Sequence, residues 1–216
     1  MNPKLQERSI RKVEKINLSN SICGILLPAL LLSACGASSV VISGSFPTPN
    51  IGKLPISLAV VYDDNLQEFT YTEYSETGQE EYYIQSGQSH IQLFNAVLPA
   101  MFDNVTFVDN VEAAAGAGVD AVFVPNIEEF QLALPAKTRL DVYEVWIKYN
   151  MRLLTAEGDY LADWELTSYG KTLTETFLTT ESAINDAAVV ALRDLASTFA
   201  LSFSRVPEIS AWLANR

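Results

Sequence analysis

Nucleophiles and bases are scarce in this chain. Its 216 residues include two cysteines, Cys23 and Cys35, and a single histidine, His90. That leaves little material for a His/Cys metal centre or for histidine-based acid–base work. Ser86 and Ser89 stand beside His90, but a catalytic triad is made by spatial geometry, not by sequence neighbours. His90 also falls off the apolar stripe Ile91, Phe94, Leu98, so it is expected in solvent. Ala115-Gly116-Ala117-Gly118 lacks the lysine and the following Ser/Thr of a phosphate loop. The acidic pairs Asp63-Asp64, Glu80-Glu81 and Glu128-Glu129 offer oxygen ligands for calcium but none of the loop spacing calcium sites use, and they read as solvated faces. No metal or cofactor is implied, and the chain is expected not to be an enzyme. A hydrolase working with carboxylates alone is the enzymatic alternative; it needs a cleft where acids converge.

The charge is unevenly spread. The chain carries −12 overall, a balance that argues against nucleic acid as a partner. Residues 1–34 hold Lys4, Arg8, Arg11, Lys12 and Lys15 against Glu7 and Glu14, a local +3, so the remainder carries −15. The basic start leads into the apolar run Ile22 to Leu32, too short for a spanning helix, which needs about 20 residues. It suits the apolar region of a secretory signal peptide. The run ends in Leu32-Ser33-Ala34-Cys35-Gly36, which resembles the lipobox of bacterial lipoproteins. The resemblance implies cleavage between Ala34 and Cys35, a diacylglycerol on the Cys35 thiol, and usually a further fatty acyl chain on the new amine. Several acyl chains hold a protein durably on a membrane. Gly36 stands where an aspartate would favour inner-membrane retention, so the resemblance implies the outer membrane, with the domain facing the periplasm.

On that reading Cys23 leaves with the leader, Cys35 becomes the anchor, and no disulfide is available. Residues 35–53 are rich in Ser, Gly and Pro and read as an acylated N-terminus with a flexible, solvated tether. Residues 54–216 suit a single domain.

The elements that would position any site follow from periodicity. Residues 56–62 and 69–74 are β-prone, and 82–84 resume the pattern. Spacings of three and four from Ile91 to Phe102 predict a helix over about 87–102, bent near its end by Pro99. Short strands are expected at 105–108 and from 121, where Pro125 suggests an edge or bulge. The clearest alternation places Tyr143, Val145, Ile147, Tyr149, Met151 and Leu153 on one face of a strand. Glu144, Trp146, Lys148, Asn150 and Arg152 take the other. A turn at 156–159 and a partner strand over 160–167 make an antiparallel hairpin with one wet face. Thr179 or Thr180 can cap a helix over about 181–204 with the stripe Ile184, Ala188, Ala191, Leu195, Phe199. A last short helix begins at Pro207.

This order predicts an α+β two-layer sandwich, a mixed and mainly antiparallel sheet with the long C-terminal helix packed on it. It is similar to the periplasmic domain of curli-secretion lipoproteins and to the N-terminal domain of the Tol translocation protein. The matching pieces are the Leu54–Tyr62 strand, the Leu93–Phe107 helix and strand, Gly118 to Val124, and the hairpin around Gly158. No long amphipathic barrel hairpins are present, so a pore function is not implied.

Aromatic residues cluster in the strands. Trp146, Tyr143, Tyr149 and Trp164 are candidates for a surface that docks another envelope protein, since Tyr and Trp are enriched in interface cores. The sequence thus points to a non-enzymatic accessory or scaffolding lipoprotein of the cell envelope. A second reading is binding of a lipid or lipopolysaccharide in an apolar pocket lined by residues such as Phe94, Leu98, Val145 and Phe199. The exposure of Trp146 and the filling of that pocket separate the two.

Overall fold

A computed structural model describes residues 37–216. Among the described residues, eight strands and five α-helices follow in the order β1 (Ser38–Val41), β2 (Leu54–Val61), α1 (Asp64–Gln67), β3 (Thr70–Tyr74), β4 (Glu81–Gln85), α2 (Gly87–Met101), β5 (Phe102–Val108), β6 (Ala121–Ala133), α3 (Pro135–Thr138), β7 (Val142–Thr155), β8 (Tyr160–Leu173), α4 (Thr180–Ser202) and α5 (Pro207–Ala214). The main sheet has strand order β5-β2-β6-β7-β8, and a smaller one has order β1-β4-β3. The β5–β2 and β2–β6 pairs are parallel, while β6–β7 and β7–β8 are antiparallel. This is the expected α+β class, with α4 packed on the sheet. The sequence pattern predicts one sheet, and the structure adds the small β1-β4-β3 sheet.

Why the strands lie as they do is visible in their patterns. β2 has both faces covered and reads as a nearly continuous apolar run, as parallel central strands do. In β7 every second residue from Val145 to Leu153 is buried, because only one face meets the helices. Thr179 caps α4, its hydroxyl accepting from the Ser182 N–H. All five residues of the expected α4 stripe are buried, among them Ile184, Leu195 and Phe199. Gly170 on β8 allows the close approach of α4: a Cβ there would lie 2.1 Å from the Ala187 carbonyl oxygen and 2.3 Å from the Ala191 nitrogen.

The core lies between the sheet and the helices. Phe94 of α2 meets Phe123 of β6 and Phe199 of α4 with ring centroids 5.7 and 6.0 Å apart. On the other face, the segment 109–120 folds over Ala59, Val61 and Val122 with Ala114 as its buried contact. That cover leaves the outer face of the β6–β7–β8 region bare.

The tether expectation is corrected for the part the structure describes. Ser38–Val41 pairs in parallel with β4, Ser38 opposite Tyr82 and Val41 opposite Gln85. Val40 and Ile42 are each 2% exposed. Ser89 Oγ donates to the Ile42 carbonyl at 2.5 Å, Ser43 N–H donates to Asn185 at 2.7 Å, and Arg193 donates to the Ser45 carbonyl at 3.0 Å. The serines suggested solvation, but alternating Val40 and Ile42 supply an apolar side that the hydroxyls do not cancel. Residues 45–53 do lack regular structure.

Candidate functional site

The bare outer face carries the arrangement with the most chemistry on it. The β7–β8 register places Trp146 opposite Tyr169, Lys148 opposite Thr167, and Asn150 opposite Glu165. On the other side, β6 sets Gln131 against Trp146 and Glu129 against Lys148. A bulge between Ile127 and Glu129 puts two consecutive acids, Glu128 and Glu129, on the outside while Ile127 and Phe130 both point inward. Half-buried Trp146 lies against Tyr169 with ring centroids 5.0 Å apart. The Tyr169 hydroxyl donates to Glu144 at 2.6 Å, and that bond, with burial and the carboxylate charge, pushes its pKa up to about 12.

Lys148 reaches Glu128 at 2.9 Å and Glu165 at 2.7 Å. Hydrogen bonds to Glu165 and then Glu128 hold the ammonium above its ordinary pKa. Glu129, Gln131, Trp146, Lys148 and Thr167 line a shallow depression of about 240 Å³. An aromatic plate with donors and acceptors around it is suited to contact with another macromolecule.

The remaining candidates lie elsewhere, and their assignment to one docking surface is corrected. Tyr149 is fully buried, on the helix side of β7. Tyr143 shares that side, its hydroxyl 3.2 Å from Thr180 Oγ1. Trp164, opposite Met151, packs near-parallel to Phe199 and edge-on to Phe203. Alternation explains the split, since Tyr143 and Tyr149 follow the odd-numbered inward phase of β7 and Trp146 the even one. Tyr169 takes their place beside Trp146. Its signal was the hairpin register itself, had the second strand been extended past Thr167 through Ser168-Tyr169-Gly170. Ala34 and Cys35 lie outside the described residues.

His90 is corrected too: it is fully buried. Its Nδ1 lies 2.5 Å from the Tyr149 hydroxyl and its Nε2 3.0 Å from Ser86 Oγ. Burial pushes the imidazole pKa down to about 3, so it is neutral, with one nitrogen donating and the other accepting. The α2 stripe runs through Leu93, Phe94, Val97, Leu98 and Met101, and His90 sits on it. This Ser86–His90–Tyr149 group resembles catalytic machinery in composition only, because no solvent reaches the imidazole. It fastens α2 to β7.

The apolar pocket expected around Phe94, Leu98, Val145 and Phe199 is filled by these side chains themselves, each at most 1% exposed. Of the acidic pairs, Asp63 serves as the cap of α1, accepting from the Leu66 N–H at 2.8 Å.

No protein-family model matches the chain, and no curated protein matches it. Among solved structures, it is similar to a Xanthomonas campestris protein of the DUF330 family, at 11% identity and TM-score 0.49, covering 82% of this chain and 96% of that one. It is also similar to the PelC dodecamer from Paraburkholderia phytofirmans, at 16% identity and TM-score 0.39, covering 70% and 91%. A minor lipoprotein from Acinetobacter baumannii matches at 12% identity and TM-score 0.38, covering 71% and 94%.

Proposed function

We propose that this chain is a lipid-anchored lipoprotein of the bacterial outer membrane, acylated on Cys35, whose periplasmic domain acts without catalysis by docking a protein partner through the Trp146–Tyr169 face. The observation that carries the anchor is the run Leu32-Ser33-Ala34-Cys35 behind a basic, apolar leader. The docking face is supported by the half-buried Trp146 on the bare side of the sheet, beside the depression over Lys148. The partner is an envelope protein whose assembly or activity the lipoprotein assists. The filled core around Phe94 and Phe199 gives the lipid-carrier reading no cavity to use at those residues.

Two substitutions test the two halves separately. Cys35→Ala should abolish incorporation of labelled fatty acid and release the protein from the membrane fraction. Unchanged fractionation would refute the anchor. Trp146→Ala, in the otherwise unaltered protein, should remove at least one product of in-cell crosslinking while leaving membrane anchoring and thermal stability nearly unchanged. An identical crosslinking pattern would refute the docking face.

A further inference from the structure

We propose that the end of the domain carrying Leu140, Leu173, Phe177 and Leu178 is seated on the lipid surface that holds the acyl chain. The inference rests on the reading of Cys35 as the anchor and adds an orientation to it.

Chain length limits the freedom of the domain. Two residues separate Cys35 from Ser38, the first residue of β1. Three residue steps span at most about 11 Å even when fully extended. β1 is locked in register on β4 from its first residue, so the point where the chain enters the fold is fixed. The end of the molecule around that point is therefore held within headgroup distance of the membrane.

That end is where exposed apolar side chains gather. Phe177 borders the same groove as Ser39, Val40 and Val41 at the start of the chain's path along α4. Leu178 follows it, fully exposed, and Leu173 is 51% exposed at the end of β8. Leu140, 53% exposed, is brought alongside by the hydrogen bond from Thr174 N–H to the Asp141 carbonyl at 3.0 Å. Thr180 next to them lies 3.2 Å from Tyr143, at the start of β7. Four bulky apolar residues thus protrude from one end, Leu140 on the connection from α3 to β7, Leu173 at the end of β8, and Phe177 and Leu178 on the connection from β8 to α4.

Scattered single exposed hydrophobics are ordinary, but a group at one place marks a contact. Charges on and beside these loops are mixed, Arg139 and Lys171 against Asp141, Glu175 and Glu181. Contact with lipid is then carried by the apolar side chains, without the basic cluster that anionic-lipid attraction uses.

The test uses the acylated full chain in vesicles of phosphatidylethanolamine and phosphatidylglycerol. Beyond the leader, Cys35 is the sole cysteine, and acylation occupies its thiol, so a single introduced cysteine takes a fluorophore specifically. Leu178→Cys is the probe, and Tyr160→Cys, 65% exposed at the opposite end of β8, is the control. Flotation with the vesicles reports the anchor. Quenching by headgroup-attached quenchers should be at least threefold stronger at 178 than at 160.

Equal, weak quenching at both sites in a protein that floats would overturn the seating and leave the anchor standing. A protein that does not float would overturn the anchor, and the seating with it. In a parallel unlabelled sample treated with copper–phenanthroline as oxidant, a disulfide between the Leu178→Cys positions of two copies on the vesicle, together with weak quenching of the labelled sample, would assign the patch to self-association and overturn the seating.

Discussion

Neutrality of His90 is the property through which a single residue reaches the stability of the whole fold. An imidazole in the unfolded chain titrates near its ordinary 6.5, whereas burial holds the folded one near 3. Below 6.5 the unfolded chain binds a proton that the folded chain refuses. The stability linked to His90 is therefore fully present above about pH 6.5 and is lost as the pH falls toward 3. Between pH 7 and pH 5 the loss is about 2 kcal/mol. Urea unfolding at those two pH values measures it, and His90→Gln should flatten the difference by about that amount. An equal acid loss in the variant would assign the sensitivity to carboxylates instead. The sequence suggests solvent for His90 when the α2 stripe is started at Ile91. Leu93 and Val97 shift that stripe by a fraction of a turn, and the histidine moves from its edge to its centre. The 3.6-residue period of a helix admits neighbouring stripes and leaves such a rotation open, whereas the two-residue period of a strand does not. That is why Trp146 could be placed on its own face from alternation alone.

Close packing of α4 on β8 depends on small residues from both elements. Ala183, Ala187, Ala188 and Ala191 are buried on the helix, and Gly170 faces them from the strand. The atoms a Cβ at 170 would meet are backbone, so no side chain can swing aside. Gly170→Ala should destabilise the protein by about 3 kcal/mol through overpacking. Gly52→Ala, where a Cβ meets nothing within 4 Å, should change stability by less than about 0.5 kcal/mol. Denaturant midpoints of the two variants give the comparison, and a tolerated alanine at 170 would mean that α4 can lift from the sheet at little cost. At this scale the sequence was most informative. α2, α4 and the β7–β8 hairpin are visible because long periodic segments carry many consistent residues, and α5 because Pro207 marks its start. The small β1-β4-β3 sheet is not, because its strands are four or five residues long and β1 is composed of Ser38-Ser39-Val40-Val41. Composition over so short a window does not distinguish a solvated linker from an edge strand. What decides is pairing with β4, more than 40 residues away.

As a whole, the molecule is folded from the third residue after Cys35, and this changes what an anchored domain can do. A tether of nearly twenty flexible residues would let the domain sample a wide volume above the membrane. Instead, the chain from Ser38 to Ser45 lies along α4, fastened by Val40, Ile42, the bond from Ser43 N–H to Asn185 and the bond from Arg193 to the Ser45 carbonyl. On the proposed seating, Trp146 is carried at a set height, since its ladder partner Tyr169 is four residues from Leu173, about 13 Å along β8. On the proposed anchor and docking face, Trp146, Tyr169 and Leu173 share one hairpin, so a partner would be met close to the membrane. The stability of this strap is measurable apart from any partner. Ile42→Ala removes a buried side chain and should cost about 2–4 kcal/mol in urea unfolding of the acylated protein in detergent. Val41→Ala, one residue earlier and 63% exposed, should cost less than about 0.5 kcal/mol. A free tether would make both substitutions silent. The alternation of effect along adjacent residues is the signature of a strand held in the fold, and equal small effects would return residues 37–45 to solvent and leave the height of Trp146 unset.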